Sequence, residues 1–357
     1  VADVKQAKPD ASGRWVAQVA GRSLPLTIAP SLQSAVQAML DRTQVPYGAV
    51  VLLDPGTGDV LAMAEHRQAG DPTGAIGGLD QPATPAASVF KVVTAAALLE
   101  AGQGAQSTAC SHGGRHGIDA SHLRARAGDR HCETLTQAIA RSSNAIFARQ
   151  ALDHLSAAAL GQTASRFGFN ASVPGDLEVV PSKFEAGRTP LDLARVAPGF
   201  QGSTLSPLHG ALLAAAVANH GQAMQLRLTS EHPPVAGAQV LPPAQADELA
   251  AMMAHTVTEG TGRKAFGARP KSLRGVEVAG KTGSLSGTDP AVFRHFSWFV
   301  GFAPVERPRF AVAALAINGP QWKVKGAALA RDALALAFEQ APAPSTVAPP
   351  VVGLVAP

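Results

Sequence analysis

Apolar positions follow three different periods along this chain, and each predicts a different element. In "SLQSAVQAMLDRT", Leu32, Val36, Met39 and Leu40 recur at helical spacing and predict an amphipathic helix. In "YGAVVLLDPGTGDVLAMAEH", two β-rich apolar runs at 49–53 and 60–64 flank Asp-Pro-Gly-Thr-Gly-Asp, the pattern of a hairpin. "SVFKVVTAAALLEA" (residues 88–101) is apolar almost all round and stops at Gly102, as a buried helix does. Residues 103–262 carry mostly helical patterns broken by loops, among them "TLTQAIARSSNAIFARQALDHL" and "PLHGALLAAAVANHG". The period then shortens to two: "GVEVAGKTG", "FSWFVGFAP" and "RFAVAALAIN" predict three strands, and "KGAALARDALALAFEQ" predicts a closing helix.

The order is therefore hairpin, buried helix, helical insertion, three strands, helix. It predicts an α/β chain of the α+β type, an antiparallel β-sheet covered by helices with an all-helical lobe inserted at about 103–262. The main domain is expected over residues 31–340. Residues 1–30 form a strand-like segment or linker remnant, and the Pro/Ala-rich tail at 341–357 is expected to be extended or disordered.

Composition narrows the partners. With 357 residues and 46% hydrophobic positions the chain can bury a large core, built on Ala, Leu and Val because aromatics are scarce. A net charge of +4 is only mildly basic. The densest basic stretch, with Arg124, Arg126 and Arg130, is interrupted by Asp129 and reads as a solvated loop, so nucleic acid is not an expected partner. No apolar run is long enough to cross a bilayer. The chain opens at Val1, which leaves room for an export signal or membrane anchor upstream, and a cytoplasmic home does not follow.

One stretch supports two chemistries. Residues 275–282 match G-x-x-x-x-G-K-T, the phosphate loop of nucleotide hydrolases. That loop needs a flexible turn and a helix starting at its Lys-Thr. Here the variable positions are Val-Glu-Val-Ala, which alternate as a strand does, and the helix breakers "GSLSGTDP" follow. The strand reading is preferred, with Lys281, Thr282, Gly283 and Ser284 at the strand's end.

Two further motifs give that strand a context. Ser88 and Lys91 stand three apart at the start of the buried helix, so an amine can reach a hydroxyl. A serine hydroxyl is a weak nucleophile until a base takes its proton. Lys91 can act as that base only when neutral, which burial and a second cation such as Lys281 would favour. Ser142 and Asn144 offer a hydroxyl and an amide two apart beside another helical run. Singly, each pattern is ordinary: a helix start, an N-cap, a strand end. S-x-x-K, S-x-N and K-T-G each occur once, in this order, each on the element its role requires.

This set resembles the transpeptidase domain of penicillin-binding proteins, within the superfamily of serine D,D-peptidases and serine β-lactamases. The likeness runs over roughly residues 30–340, through "AVVLLDPGTGDVLAMA", "STLSPLHGALLAAAVANHG", "HTVTEGTGRKAF" and "WFVGFAP". It implies that Ser88 is the acylated nucleophile, Lys91 its general base and Ser142 the proton shuttle. Asn144 would hold the substrate amide and Lys281 support the electrostatics. Thr282 and Ser284 would bind the terminal D-Ala carboxylate, with Gly283 between them also substrate-binding, and the backbone N–H groups of Ser88 and Ser284 would form the oxyanion hole. No cofactor or metal is implied. The partners would be peptidoglycan stem peptides, with β-lactam antibiotics as covalent inhibitors and possible cell-wall synthesis proteins, in a periplasmic or other extracytoplasmic place. The chain departs from the family pattern at Ala86-Ala87, where Pro-Gly usually precedes the nucleophile, and at Ser284, where Thr is common.

Within the superfamily, a β-lactamase needs a base aimed at water. The class A loop pattern E-x-x-x-N is missing, Asn144 replaces the valine of class D, and the lone Tyr47 precedes the nucleophile. The expected function is a peptidoglycan D,D-transpeptidase. The alternatives are a D,D-carboxypeptidase, a β-lactamase, a β-lactam sensor or cell-wall scaffold without turnover, and a hydrolase of another ester or amide. Cys110 and Cys132 flank a loop with His112, His116 and His131 beside them. A zinc site is one reading, although only His112 and His116 have ligand-like spacing. The extracytoplasmic setting that the resemblance implies makes a Cys110–Cys132 disulfide the expected outcome. His295 and Trp298 could border the cleft or simply pack at a strand end.

Overall fold

Strands Tyr47–Leu53 and Phe310–Asn318 are buried along their whole length. This explains why both read as unbroken apolar runs instead of alternating ones. They are neighbours in the middle of a five-stranded sheet ordered Ala279–Thr288, Phe293–Ala303, Phe310–Asn318, Tyr47–Leu53, Val60–Arg67, with every adjacent pair antiparallel. Alternate side chains serve two cores. Ala49, Val51 and Leu53 join Ala313 and Leu315 on the face covered by helix Pro207–Ala218. Val50 and Leu52 join Val312 and Ala314 on the other face, under helices Pro30–Asp41 and Gly326–Gln340. The apolar stripe Leu32, Val36, Met39 and Leu40 is the buried face of the first of these helices, as its spacing predicts.

The computed structural model describes residues 7–10, 14–19, 22–71, 78–114, 117–288 and 292–340. His116 and the 341–357 tail lie outside them. Within residues 1–30, strands Lys8–Pro9, Trp15–Val19 and Arg22–Pro25 form a small antiparallel sheet, and the Thr27 amide donates to the Leu228 carbonyl at 2.9 Å.

The lobe between the sheet's two halves is helical, with Leu135–Arg141, Asn144–His154, Ala157–Arg166 and Pro190–Val196 among its helices. It also carries two short ribbons that the helical periodicity hid. One pairs Thr108–Ser111 with His131–Thr134, the other Gln222–Met224 with Ala236–Gln239. Cys110 and Cys132 face each other across the first ribbon and are joined as a disulfide. Both thiols are thereby lost to any zinc site, and the His112 ring is hydrogen-bonded to the Asp129 carboxylate. Among the described residues no group of three or more His, Cys, Asp or Glu could hold a metal ion.

The strand expected at 275–283 starts later and runs further, over Ala279–Thr288. Its "GSLSGT" segment pairs residue for residue with Phe293–Trp298, Thr288 opposite Phe293 and Gly283 opposite Trp298. Small residues suit an edge strand whose outer side lines a cleft. The phosphate-loop match therefore ends inside a strand with no helix after it, which removes the nucleotide reading.

Candidate active site

The chain reaches the site through a tight turn. Thr84–Pro85 pairs with Thr204–Leu205, and residues Ala87–Phe90 then wind as a 3-10 turn before the α-helix Lys91–Glu100. The sequence predicts one helix from Ser88; the tighter first turn serves the site better. Side chains three apart eclipse in a 3-10 turn, and Lys91 Nζ lies 2.8 Å from Ser88 Oγ. Trp298, fully buried, donates its indole N–H to the Pro85 carbonyl at 3.0 Å and ties the turn to the sheet.

Two glycines let other segments close on this turn. A Cβ at Gly199 would come 2.1 Å from the Ala87 carbonyl oxygen. One at Gly283 would meet Val89, Trp298 and the Ala86 carbonyl at 3.1–3.3 Å, so a side chain there would crowd the edge strand against the nucleophile turn. Ala87 itself sits at φ +48°, a conformation that a β-carbon disfavours by about 1 kcal/mol. Where the family usually has glycine, Ala87 thus places strain in the residue before Ser88.

Lys91 and Lys281 are both fully buried. Lys91 Nζ is 2.7 Å from Asn144 Oδ1 and 2.7 Å from the Pro198 carbonyl oxygen, besides its contact with Ser88. A neutral amine fits these three contacts: two N–H groups donate to the two carbonyls, and the lone pair faces the Ser88 hydroxyl. Burial, and after it the charge of Lys281, hold Lys91 well below the usual lysine range. Burial alone pushes Lys281 down to about 7. Burial thus favours the free base at both amines, and at Lys91 the neighbouring charge of Lys281 favours it further.

Lys281 Nζ donates to Ser142 Oγ and to the Thr282 carbonyl, each at 2.9 Å. Ser142 caps helix Leu135–Arg141 in the left-handed conformation, φ 60° and ψ 42°, which turns its side chain out of the helix and toward the strand. Because its oxygen accepts from Lys281, its own proton is available to a group in the cleft. Asn144 opens the next helix.

The cleft in front of Ser88 has a volume of about 610 Å³ and exposes Ser142, Asn144, Thr282 and Ser284 to the same space. Among the described residues no carboxylate lines it. Tyr47 lies in the central sheet with its hydroxyl on Glu65, so it is not placed to serve as a base here.

All the motif residues named from sequence thus fall at one cleft. Sequence reasoning missed three contributors. Thr261 Oγ1 is 2.5 Å from Thr282 Oγ1 and fixes that side chain; it lies in "HTVTEGTGRKAF", legible as a lobe segment without a role. The Pro198 carbonyl, which holds Lys91, and Gly199 beside it carry no side-chain signal. Trp298 lines the cleft, whereas His295 is not among its lining residues and instead lies 2.7 Å from Ser286 Oγ through Nδ1, stacked on Trp322.

A hydroxyl facing an uncharged buried amine, with a second amine and a hydroxyl across the cleft, defines a serine acyl-transfer centre of the lysine-base kind. Residues 48–335 match the model of the penicillin binding protein transpeptidase domain, and the chain belongs to that family. It is 30% identical over 339 residues to the peptidoglycan D,D-transpeptidase PbpA of Mycobacterium tuberculosis, an alignment covering 84% of this chain and 68% of the relative. It is 28% identical over 324 residues to the peptidoglycan D,D-transpeptidase FtsI of Escherichia coli K12, covering 85% of this chain and 53% of that protein. The imipenem acyl-enzyme complex of penicillin-binding protein A from M. tuberculosis superposes with a TM-score of 0.71 at 25% identity, over 88% of this chain and 79% of that one. The D,D-transpeptidase domain of an Eggerthella lenta peptidoglycan glycosyltransferase shares the fold at TM-score 0.71 and 24% identity, over 93% and 94% of the two chains.

Proposed function

We propose that this chain is a peptidoglycan D,D-transpeptidase working through a Ser88 acyl-enzyme, and that β-lactams acylate the same serine. The observation that carries the reading is the 2.8 Å approach of Lys91 Nζ to Ser88 Oγ, with no acid within the cleft among the described residues. Lys91 takes the hydroxyl proton as Ser88 attacks the carbonyl between two D-Ala residues. Ser142 gives its proton to the departing nitrogen and is resupplied by Lys281. Thr282 and Ser284 hold the carboxylate of the leaving D-Ala, Asn144 the substrate amide, and the Ser88 and Ser284 amides the oxyanion. Rapid hydrolysis would call for a dedicated base aimed at water, and among the described residues no carboxylate lines the cleft to supply one, which speaks against a β-lactamase. The family setting and the Cys110–Cys132 bond support an extracytoplasmic location.

The test is a D-Ala-ended thioester donor with and without a D-amino-acid acceptor. Formation of the transfer product, abolished in Ser88→Ala, is expected. Hydrolysis unaffected by the acceptor would make the enzyme a carboxypeptidase, and donor turnover that survives Ser88→Ala would refute the assignment.

A further inference from the structure

The cleft continues beyond the groups that bind the leaving D-Ala. Lys264, Lys323 and Lys325 line the same cleft as Thr282 and Ser284. Two of them, Lys264 and Lys325, are tied to the carboxylate subsite by short links. Lys264 is three residues from Thr261, whose hydroxyl contacts Thr282. Lys325 precedes Gly326, whose amide donates to Ser297 Oγ at 3.0 Å, and Ser297 is the strand partner of Ser284. All three lysines are exposed, and among the described residues none is ion-paired with a carboxylate. Lys323 Nζ donates to the Gln44 carbonyl at 2.6 Å, and Lys325 Nζ lies 5.3 Å from the centre of the half-exposed Trp322 ring. The start of helix Gly326–Gln340 lines the same cleft and adds the positive end of its dipole.

The place of these lysines in the cleft assigns their ligand. Acylation expels an amine whose carbon carries the carboxylate held by Thr282 and Ser284. Transfer to an acceptor is that step run backwards with a different amine. The acceptor nitrogen attacks the ester carbonyl, the C–N bond forms, the C–Oγ bond to Ser88 breaks, and the surplus proton of the amine ends on Ser88 Oγ by way of Ser142 and the lysines. By microscopic reversibility the incoming amine occupies the place of the departed one, and whatever it carries extends past Thr282 and Ser284, along the three lysines.

We infer that Lys264 and Lys325, with Lys323 adding its charge, form an acceptor subsite selective for an amine donor bearing a second carboxylate, that is, an acidic peptide. This rests on the transpeptidase reading above. The interaction is partly exposed, so it favours the doubly acidic acceptor by about three- to fivefold and weakens with salt.

The experiment compares D-glutamate with its neutral isostere D-glutamine as acceptors for one thioester donor, reading the ratio of transfer to hydrolysis. That ratio is set after Ser88 is acylated and does not depend on the rate of acylation. The wild-type protein should prefer D-glutamate by about three- to fivefold at about 0.05 M salt, and the preference should fall toward one at about 0.5 M. The double variant Lys264→Gln/Lys325→Gln should use both acceptors alike. Equal use of the two by wild type at low salt, or an undiminished preference in the double variant, would overturn the subsite. Failure of penicillin to leave an adduct on Ser88 of the wild type would instead strike at the underlying reading, so the two failures are distinguishable.

Discussion

Replacing Lys281 by methionine sets stability against function and gives both a sign. Lys281 is fully buried, and its amine is pushed from the ordinary 10.5 down to about 7. At pH 7 that corresponds to about 4 kcal/mol by which the folded state is disfavoured relative to a solvated amine in the unfolded chain. Methionine keeps the length and apolar stem and removes this penalty. It also removes two donated hydrogen bonds, to Ser142 and the Thr282 carbonyl, each worth about 1 kcal/mol. The net expectation is a Lys281→Met protein about 2 kcal/mol more stable than wild type at pH 7. The pH dependence follows from the order of proton loss. Below about 7 the amine is charged in both states and the penalty stands in full. Between about 7 and 10.5 the unfolded chain binds more protons than the folded one, so wild-type stability rises with pH and the gap narrows by about 2 kcal/mol between pH 7 and pH 9. Acylation should meanwhile fall by about 10²–10⁴, because Ser142 loses its proton source. Urea unfolding at pH 6, 7, 8 and 9, with labelling by a fluorescent penicillin, measures both. A variant less stable than wild type throughout, or a gap that ignores pH, would refute the argument.

Other expectations follow from the same geometry. Ala87→Gly should relieve the φ +48° strain and stabilise the fold by about 1 kcal/mol while retaining acylation; a lower urea midpoint would contradict the strain assignment. Opening the Cys110–Cys132 link by Cys110→Ser/Cys132→Ser frees a chain separation of 22 residues and should lower unfolding stability by about 3 kcal/mol, visible as an equal effect of dithiothreitol on the wild type. The acylation rate should decline above about pH 7 as Lys281 loses its charge; a flat stopped-flow profile from pH 6 to 9 would exclude a charged Lys281 as the support of the acylation step.

Much of the site was legible because its chemistry is carried by side chains at fixed local spacings. Ser88 and Lys91 announce a shared face, and Lys281 to Ser284 announce a strand once the alternation ahead of them is weighed against a phosphate loop. The fold was legible for a related reason: the period changes from 3.6 to two where the lobe ends and the sheet resumes. What stayed hidden acts through backbone or through distance in sequence. The Pro198 carbonyl has no letter of its own, and Ala87 does not advertise a left-handed conformation that glycine would normally fill. Lys264 and Lys325 meet only when the strand pairing of Ser284 with Ser297 brings their segments to one wall. The two ribbons of the lobe are too short for any period to register.

The central claim is that an uncharged Lys91 takes the proton of Ser88. Intact-protein mass spectrometry after penicillin exposure, with the modified peptide mapped, tests it most directly in the wild type and in Lys91→Met. The account predicts one stable adduct, on Ser88, whose formation slows by about 10²–10⁴ in the variant. An adduct on another residue, or one formed on Ser88 at an unchanged rate without the amine, would contradict it.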